Sequence, residues 1–80
     1  MNVKDAVAAR FLALCNERNI KINQLAYRSG VTPSTAYSMM DPTRKDISIV
    51  TIKKFCDGLD IPLSEFFDAD VFYTLEQEIK

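Results

Sequence analysis

A single glycine, Gly30, constrains this chain more than any other residue. It follows Gln24-Leu25-Ala26-Tyr27-Arg28-Ser29 and precedes Val31-Thr32-Pro33-Ser34-Thr35-Ala36-Tyr37-Ser38-Met39-Met40. Leu25 and Ala26 give the first stretch one buried side, and the small Ala26 lets another helix approach closely. A helix ending near Ser29 needs a positive φ at the next residue, and glycine takes that angle without steric cost. Val31 then fills the corner. Thr32 is a good N-cap, and Pro33 suits the first position of a new helix. Ala36 and either Met39 or Met40 face inward from it. The pattern predicts two short helices joined by a tight glycine turn, a helix-turn-helix.

The rest of the chain supports that pair. Its 80 residues allow one domain. A domain this small buries only about 60% of its unfolded surface, so its core is modest. Val7, Ala8, Phe11, Leu12 and Cys15 follow helical spacing and predict a first helix over residues 4–18, with Asp5 near its start. The second helix is expected over residues 22–29 and the third over 33–40. Residues 41–46 read as a loop, because Pro42 cannot continue a helix and disfavours one at Asp41. Ser48 caps a fourth helix over residues 49–58, with Ile52, Phe55, Cys56 and Leu59 on one stripe. Gly58 or the Asp60-Ile61-Pro62 corner stops it. Residues 63–67 form a short fifth helix, with Phe66 or Phe67 closing the core. Val71, Phe72, Leu75 and Ile79 also fall at helical spacing, which predicts an extra helix over 70–78.

Three pieces, in order, resemble the Cro/repressor-type (lambda-repressor-like) helix-turn-helix DNA-binding family of bacterial and phage regulators. They are Ile22-Asn23-Gln24-Leu25-Ala26, Ser29-Gly30-Val31-Thr32-Pro33-Ser34-Thr35, and Thr51-Ile52-Lys53-Lys54-Phe55-Cys56-Asp57-Gly58-Leu59-Asp60-Ile61-Pro62-Leu63-Ser64-Glu65-Phe66-Phe67. The resemblance spans roughly residues 5–67. Lys21 departs from it, standing where a Thr or Ser cap is usual, and Ala36 replaces the usual Ile or Val. The resemblance implies an all-α, compact five-helix domain over residues 1–68. Residues 69–80 are then a C-terminal tail or helix and a candidate dimerisation element. The implied function is sequence-specific transcriptional regulation, with double-stranded DNA as partner. A homodimer on a palindromic operator is expected, because one small module makes few base contacts.

In such a motif the second helix lies in the major groove and its N-terminal residues meet base edges. Pro33, Ser34, Tyr37 and Ser38 are the outward positions there and the expected base contacts. Serine hydroxyls both donate and accept, so they contact bases with weak discrimination. The Pro33 or Tyr37 ring can meet a thymine methyl. The expected phosphate contacts are Gln24, Arg28, Thr35, Thr43, Arg44, Lys45, Lys53 and Lys54. Charge is distributed to match. Residues 1–45 hold seven Lys/Arg and three Asp/Glu, net +4; residues 46–80 hold three and eight, net −5; together they give −1. Such asymmetry fits a nucleic-acid face beside an acidic remainder.

Other functions are poorly served. Cys15 and Cys56 read as reduced core thiols. The chain has no histidine, and neither a metal nor a cofactor is expected. Asp57, Asp60, Glu65, Asp68, Asp70, Glu76 and Glu78 read as a solvated back face. No nucleophile, base or glycine-rich phosphate loop accompanies them, so no catalytic residues are expected. Apolar runs are too short to cross a bilayer and the N-terminus lacks a secretory pattern, so a cytoplasmic protein with no membrane partner is expected. A second class stays open: an antitoxin-like or other protein-interaction module that keeps the helical fold and binds through its acidic half and apolar tail. The tail stripe can pair with a second chain or fold back on its own core. Pairing is preferred because the family-like core already closes at Phe67.

Overall fold

Asn2 starts the first helix. In the computed structural model, which describes residues 1–79, its side chain accepts the Asp5 N–H at 2.8 Å and caps α1, Val3–Glu17. The helix begins and ends one residue before the expected span. Asn19 then takes a positive φ of 54°, a conformation that asparagine tolerates better than most residues. This lets the Ile20 N–H return to the Cys15 carbonyl at 3.0 Å. The following elements are α2 (Ile22–Arg28), α3 (Pro33–Met40), α4 (Ile49–Leu59), α5 (Leu63–Phe67) and a 3-10 turn at Asp70–Phe72. The described residues contain no strand, and the five expected helices are present.

Three phenylalanines close the core. The Phe11 ring lies 5.0 Å from Phe55 and 4.3 Å from Phe66. Val7, Leu14, Leu25, Ala26, Ala36, Met39, Ile52, Cys56 and Leu59 surround them. Met39 and Phe66 are the buried members of their pairs, while Met40 and Phe67 pack at the edge. Leu12, expected inside, is 47% exposed; one step round the helix from Phe11 carries it off the buried stripe. Arg10 joins α1 to α5. Its Nε donates to the Phe66 carbonyl at 2.7 Å and its Nη2 to the Glu65 carbonyl at 2.9 Å. A five-residue helix has no stability of its own, so these contacts and Phe66 hold it.

Helix α4 does not stop at Gly58. It runs one residue further and ends at Asp60, which takes the left-handed conformation at φ 59°. Gly58 has a different use. A Cβ there would overlap Ser29 Oγ and lie 3.2 Å from Leu25 Cδ1. The glycine therefore lets the end of α2 sit directly on α4.

The tail forms no helix over 70–78. After its 3-10 turn it runs back past the N-terminus. The Glu76 N–H, which a helix would give to Phe72, goes to the Met1 carbonyl at 3.1 Å. The Met1 ammonium also stands 3.7 Å from the Glu76 carboxylate. The Phe72 ring packs 5.0 Å from Phe67 and 5.9 Å from Phe66. Ile79 is left 86% exposed, so the four apolar residues do not share one stripe. Lys80, the end of the 69–80 segment, lies outside the described residues.

Candidate nucleic-acid interface

The turn between α2 and α3 satisfies its own backbone. Gly30 takes φ +67°. Its N–H bonds the Tyr27 carbonyl at 3.3 Å, and the Val31 N–H bonds the Ala26 carbonyl at 3.0 Å. Those two bonds are a Schellman motif. They fix the direction in which the chain leaves α2. Thr32 then caps α3, its Oγ1 accepting the Thr35 N–H at 3.3 Å, and Pro33 takes the first turn. Ala26 and Ala36 are both buried, and their small side chains let α2 and α3 pack closely.

This frame settles where the expected base contacts stand. With Ala36 and Met39 turned into the core, Pro33 and Ser34 are exposed, Tyr37 is 64% exposed and Ser38 is half-buried. No carboxylate lies anywhere along α3. Thr35 is half-buried, with its Oγ1 3.1 Å from Thr32 Oγ1, so its hydroxyl already belongs to the cap.

The expected phosphate contacts fall on three segments. On α2, Gln24 and Arg28 are exposed. Gln24 Oε1 accepts the Lys21 N–H at 2.9 Å, which is one half of a capping box. The other half is missing, because the Lys21 ammonium has no lone pair to offer. The departure at Lys21 thus costs one cap bond, and the Gln24 NH2 stays free because Oε1 is the atom engaged.

The loop after α3 is held from α1. Lys4 is only 2% exposed, and its Nζ donates to the Asp41 carbonyl at 2.7 Å. A cation at that helix C-terminus complements the α3 dipole. The Asp41 carboxylate accepts the Thr43 N–H at 2.9 Å and the Thr43 hydroxyl at 2.7 Å. These two bonds, backbone first, hold the Asp41 carboxyl below its ordinary value; slight desolvation opposes them, and the Arg44 and Lys4 charges assist. Thr43 therefore spends its proton on Asp41, while Arg44 and Lys45 project from the same loop and are exposed. Lys45 Nζ reaches the Pro42 carbonyl at 3.4 Å. On α4, Lys54 is exposed and Lys53 is paired with Asp57 one turn on. An exposed pair of this kind contributes little and releases easily.

Lys4 and Arg10 are missing from a reading based on exposed cations, yet Lys4 holds the loop after α3 and Arg10 ties α1 to α5. The signal was present. Lys4, Val7, Arg10 and Leu14 are spaced three or four residues apart, so both cations lie on the apolar side of α1 and need internal acceptors.

A Schellman turn, an α3 surface of hydroxyls and one tyrosine, and flanking cations define a helix-turn-helix DNA-binding domain. The chain belongs to the Cro/C1-type HTH DNA-binding domain family, whose model matches residues 10–70. It is similar to a solved structure described as that of the prophage Lp1 protein 11, with TM-score 0.84 and 29% identity, covering 94% of this chain and 100% of that one. No curated protein matches the chain. Among the described residues, no helix is long and apolar enough to cross a membrane.

Proposed function

We propose that this protein is a cytoplasmic, sequence-specific transcriptional regulator that lays α3 in the major groove and binds a two-fold operator as a homodimer. The observation that carries the reading is the exposed, carboxylate-free N-terminal side of α3, set at a fixed angle by the Gly30 turn. Pro33, Ser34, Tyr37 and Ser38 meet base edges. Gln24, Arg28, Arg44, Lys45, Lys53 and Lys54 meet the backbone; Thr35 and Thr43, expected there too, spend their donors on Thr32 and Asp41. Two modules a helical turn apart, about 34 Å, supply the contacts that one lacks. Dimer contacts by residues 69–80 would use Tyr73 and Ile79, which the fold-back leaves 77% and 86% exposed. The rival protein-interaction module would draw on the same exposed Tyr73 and Ile79 with the acidic half, and it gives the exposed, carboxylate-free side of α3 no use.

A salt titration against random-sequence duplex DNA tests the reading. Each phosphate neutralised contributes about −0.9 to the log–log slope, so Arg28, Arg44, Lys45, Lys53 and Lys54 together allow at most about −4.5 per domain. Arg44→Ala should lower affinity for all sequences alike and flatten the slope. A flat wild-type dependence would sink the proposal. Selection from a random DNA pool then tests the groove assignment: Ser34→Ala and Ser38→Ala should change the ranking of bound sites.

A further inference from the structure

Resting on that reading, we propose that Tyr27 is a further DNA contact, its hydroxyl joining Arg28 and the Gln24 amide to clamp one backbone phosphate beside the groove. Tyr27 is 88% exposed, and its hydroxyl has no partner among the described residues. The core makes no use of it, although a domain this small has few large side chains to spare. With Asn23, Gln24 and Arg28 it lines a shallow concavity of about 410 Å³ on the outer side of α2. The four side chains are two amides, a phenol and a guanidinium, with no carboxylate among them. Every one carries a donor, and one carries a positive charge, so the concavity suits an anion. Gln24 is already oriented for this. Its Oε1 is held by the Lys21 N–H at 2.9 Å, which leaves the NH2 as its free end.

The place in the fold points to a DNA phosphate. Tyr27 and Arg28 are the last two residues of α2, and the Tyr27 carbonyl is itself an acceptor in the Gly30 turn. The clamp is therefore tied rigidly to the start of α3. Phosphate contacts fix the register of a protein on the duplex, and base contacts then specify. A clamp at this point sets how α3 enters the groove.

The hydroxyl is neutral, and that separates its contribution from those of the cations. Full-length Tyr27→Phe should bind the random-sequence duplex about ten-fold more weakly at every salt concentration. Its salt slope should stay unchanged, because no counterion is released by a neutral donor. Its thermal unfolding should match the wild type, since the ring is almost wholly in solvent. Arg28→Ala should weaken binding and flatten the slope by about 0.9. Wild type that fails to bind DNA overturns the proposed function itself. Wild type that binds with a steep slope, together with Tyr27→Phe of equal affinity, overturns the clamp alone. Loss in Tyr27→Ala but not in Tyr27→Phe assigns the contact to the ring and also overturns it. Inorganic phosphate at constant ionic strength should leave the Tyr27 and Arg28 NMR signals unmoved; saturable shifts would make this a small-anion site instead.

Discussion

Gly58 and Ser29 form a contact whose energetics can be worked from geometry. Ser29 Oγ is buried and has no hydrogen-bond partner. A buried hydroxyl left unpaired costs about 1–3 kcal/mol. It is trapped there because the α2 end lies on Gly58. Gly58→Ala introduces two opposing effects. Alanine gains about 1 kcal/mol of helix propensity in a helix interior. Its Cβ would overlap Ser29 Oγ, and overpacking of that kind costs about 1–3 kcal/mol. The single variant should therefore lose up to about 2 kcal/mol. Ser29→Ala removes the orphan hydroxyl and should gain about 1 kcal/mol. In the double variant the overlap is gone. What remains is 3.2 Å to Leu25 Cδ1 and 3.3 Å to the Ser29 Cβ, which shifts of a few tenths of an ångström relieve. The helix-propensity gain then shows, and the double variant should be the most stable of the four. Urea unfolding followed by circular dichroism measures all four corners. The coupling should be about 1–3 kcal/mol, the overlap cost relieved, favourable in the double variant. If Gly58→Ala costs the same in both backgrounds, the contact is not the cause. If Gly58→Ala alone stabilises, Ser29 has an open rotamer and the reasoning fails.

Gly30 behaves differently, because a Cβ there would meet nothing within 4 Å. Gly30→Val should still cost about 1–3 kcal/mol in urea unfolding, all of it from the positive φ, and Gly30→Asn should cost less; an unchanged midpoint for Gly30→Val would contradict the turn. Burial pushes the Cys15 and Cys56 thiols up, against weaker opposition from Arg18 and Lys53 respectively. Alkylation at neutral pH should be slow in the native protein and fast in urea, and equal rates would refute the burial. The depressed Asp41 carboxyl contributes stability above its unfolded value, and that contribution is lost as pH falls through the folded one. Thr43→Val removes a donor and should move the Asp41 NMR titration upward; an unmoved midpoint would show that the hydroxyl does no such work.

The helix-turn-helix was legible because each of its demands falls on one residue. Glycine takes φ +67° without strain, Thr32 offers a capping oxygen, and Pro33 suits a first turn. The third helix accordingly matches its expected span, Pro33–Met40. Gly58 was ambiguous for a physical reason. A missing Cβ serves a helix end and a close crossing equally well, and Asp60 took the left-handed position instead. The tail was misread because periodicity registers only local geometry. It carries no information on whether a distant carbonyl, here that of Met1, will capture the Glu76 N–H. Ring packing of Phe72 on α5 then decides the path.

Charge shows the same division between what a sequence counts and what a fold allocates. Seven Lys/Arg in residues 1–45 mark the basic half of the chain. Two of them, Lys4 and Arg10, are directed at backbone carbonyls of the α3 cap and of α5. Their donors are committed inside the fold, so the basic count overstates the positive charge that the surface presents. Their effect on an interface is instead geometric. Lys4 grips the residue whose carboxylate orders Thr43, and the Arg44 N–H bonds the same Asp41 carbonyl at 3.1 Å. A buried ammonium on α1 thereby sets the backbone that carries Arg44 and Lys45. The reach of those two cations follows from α1 packing as much as from the loop's own sequence. A change at Lys4 would alter where positive charge is presented without altering any exposed residue.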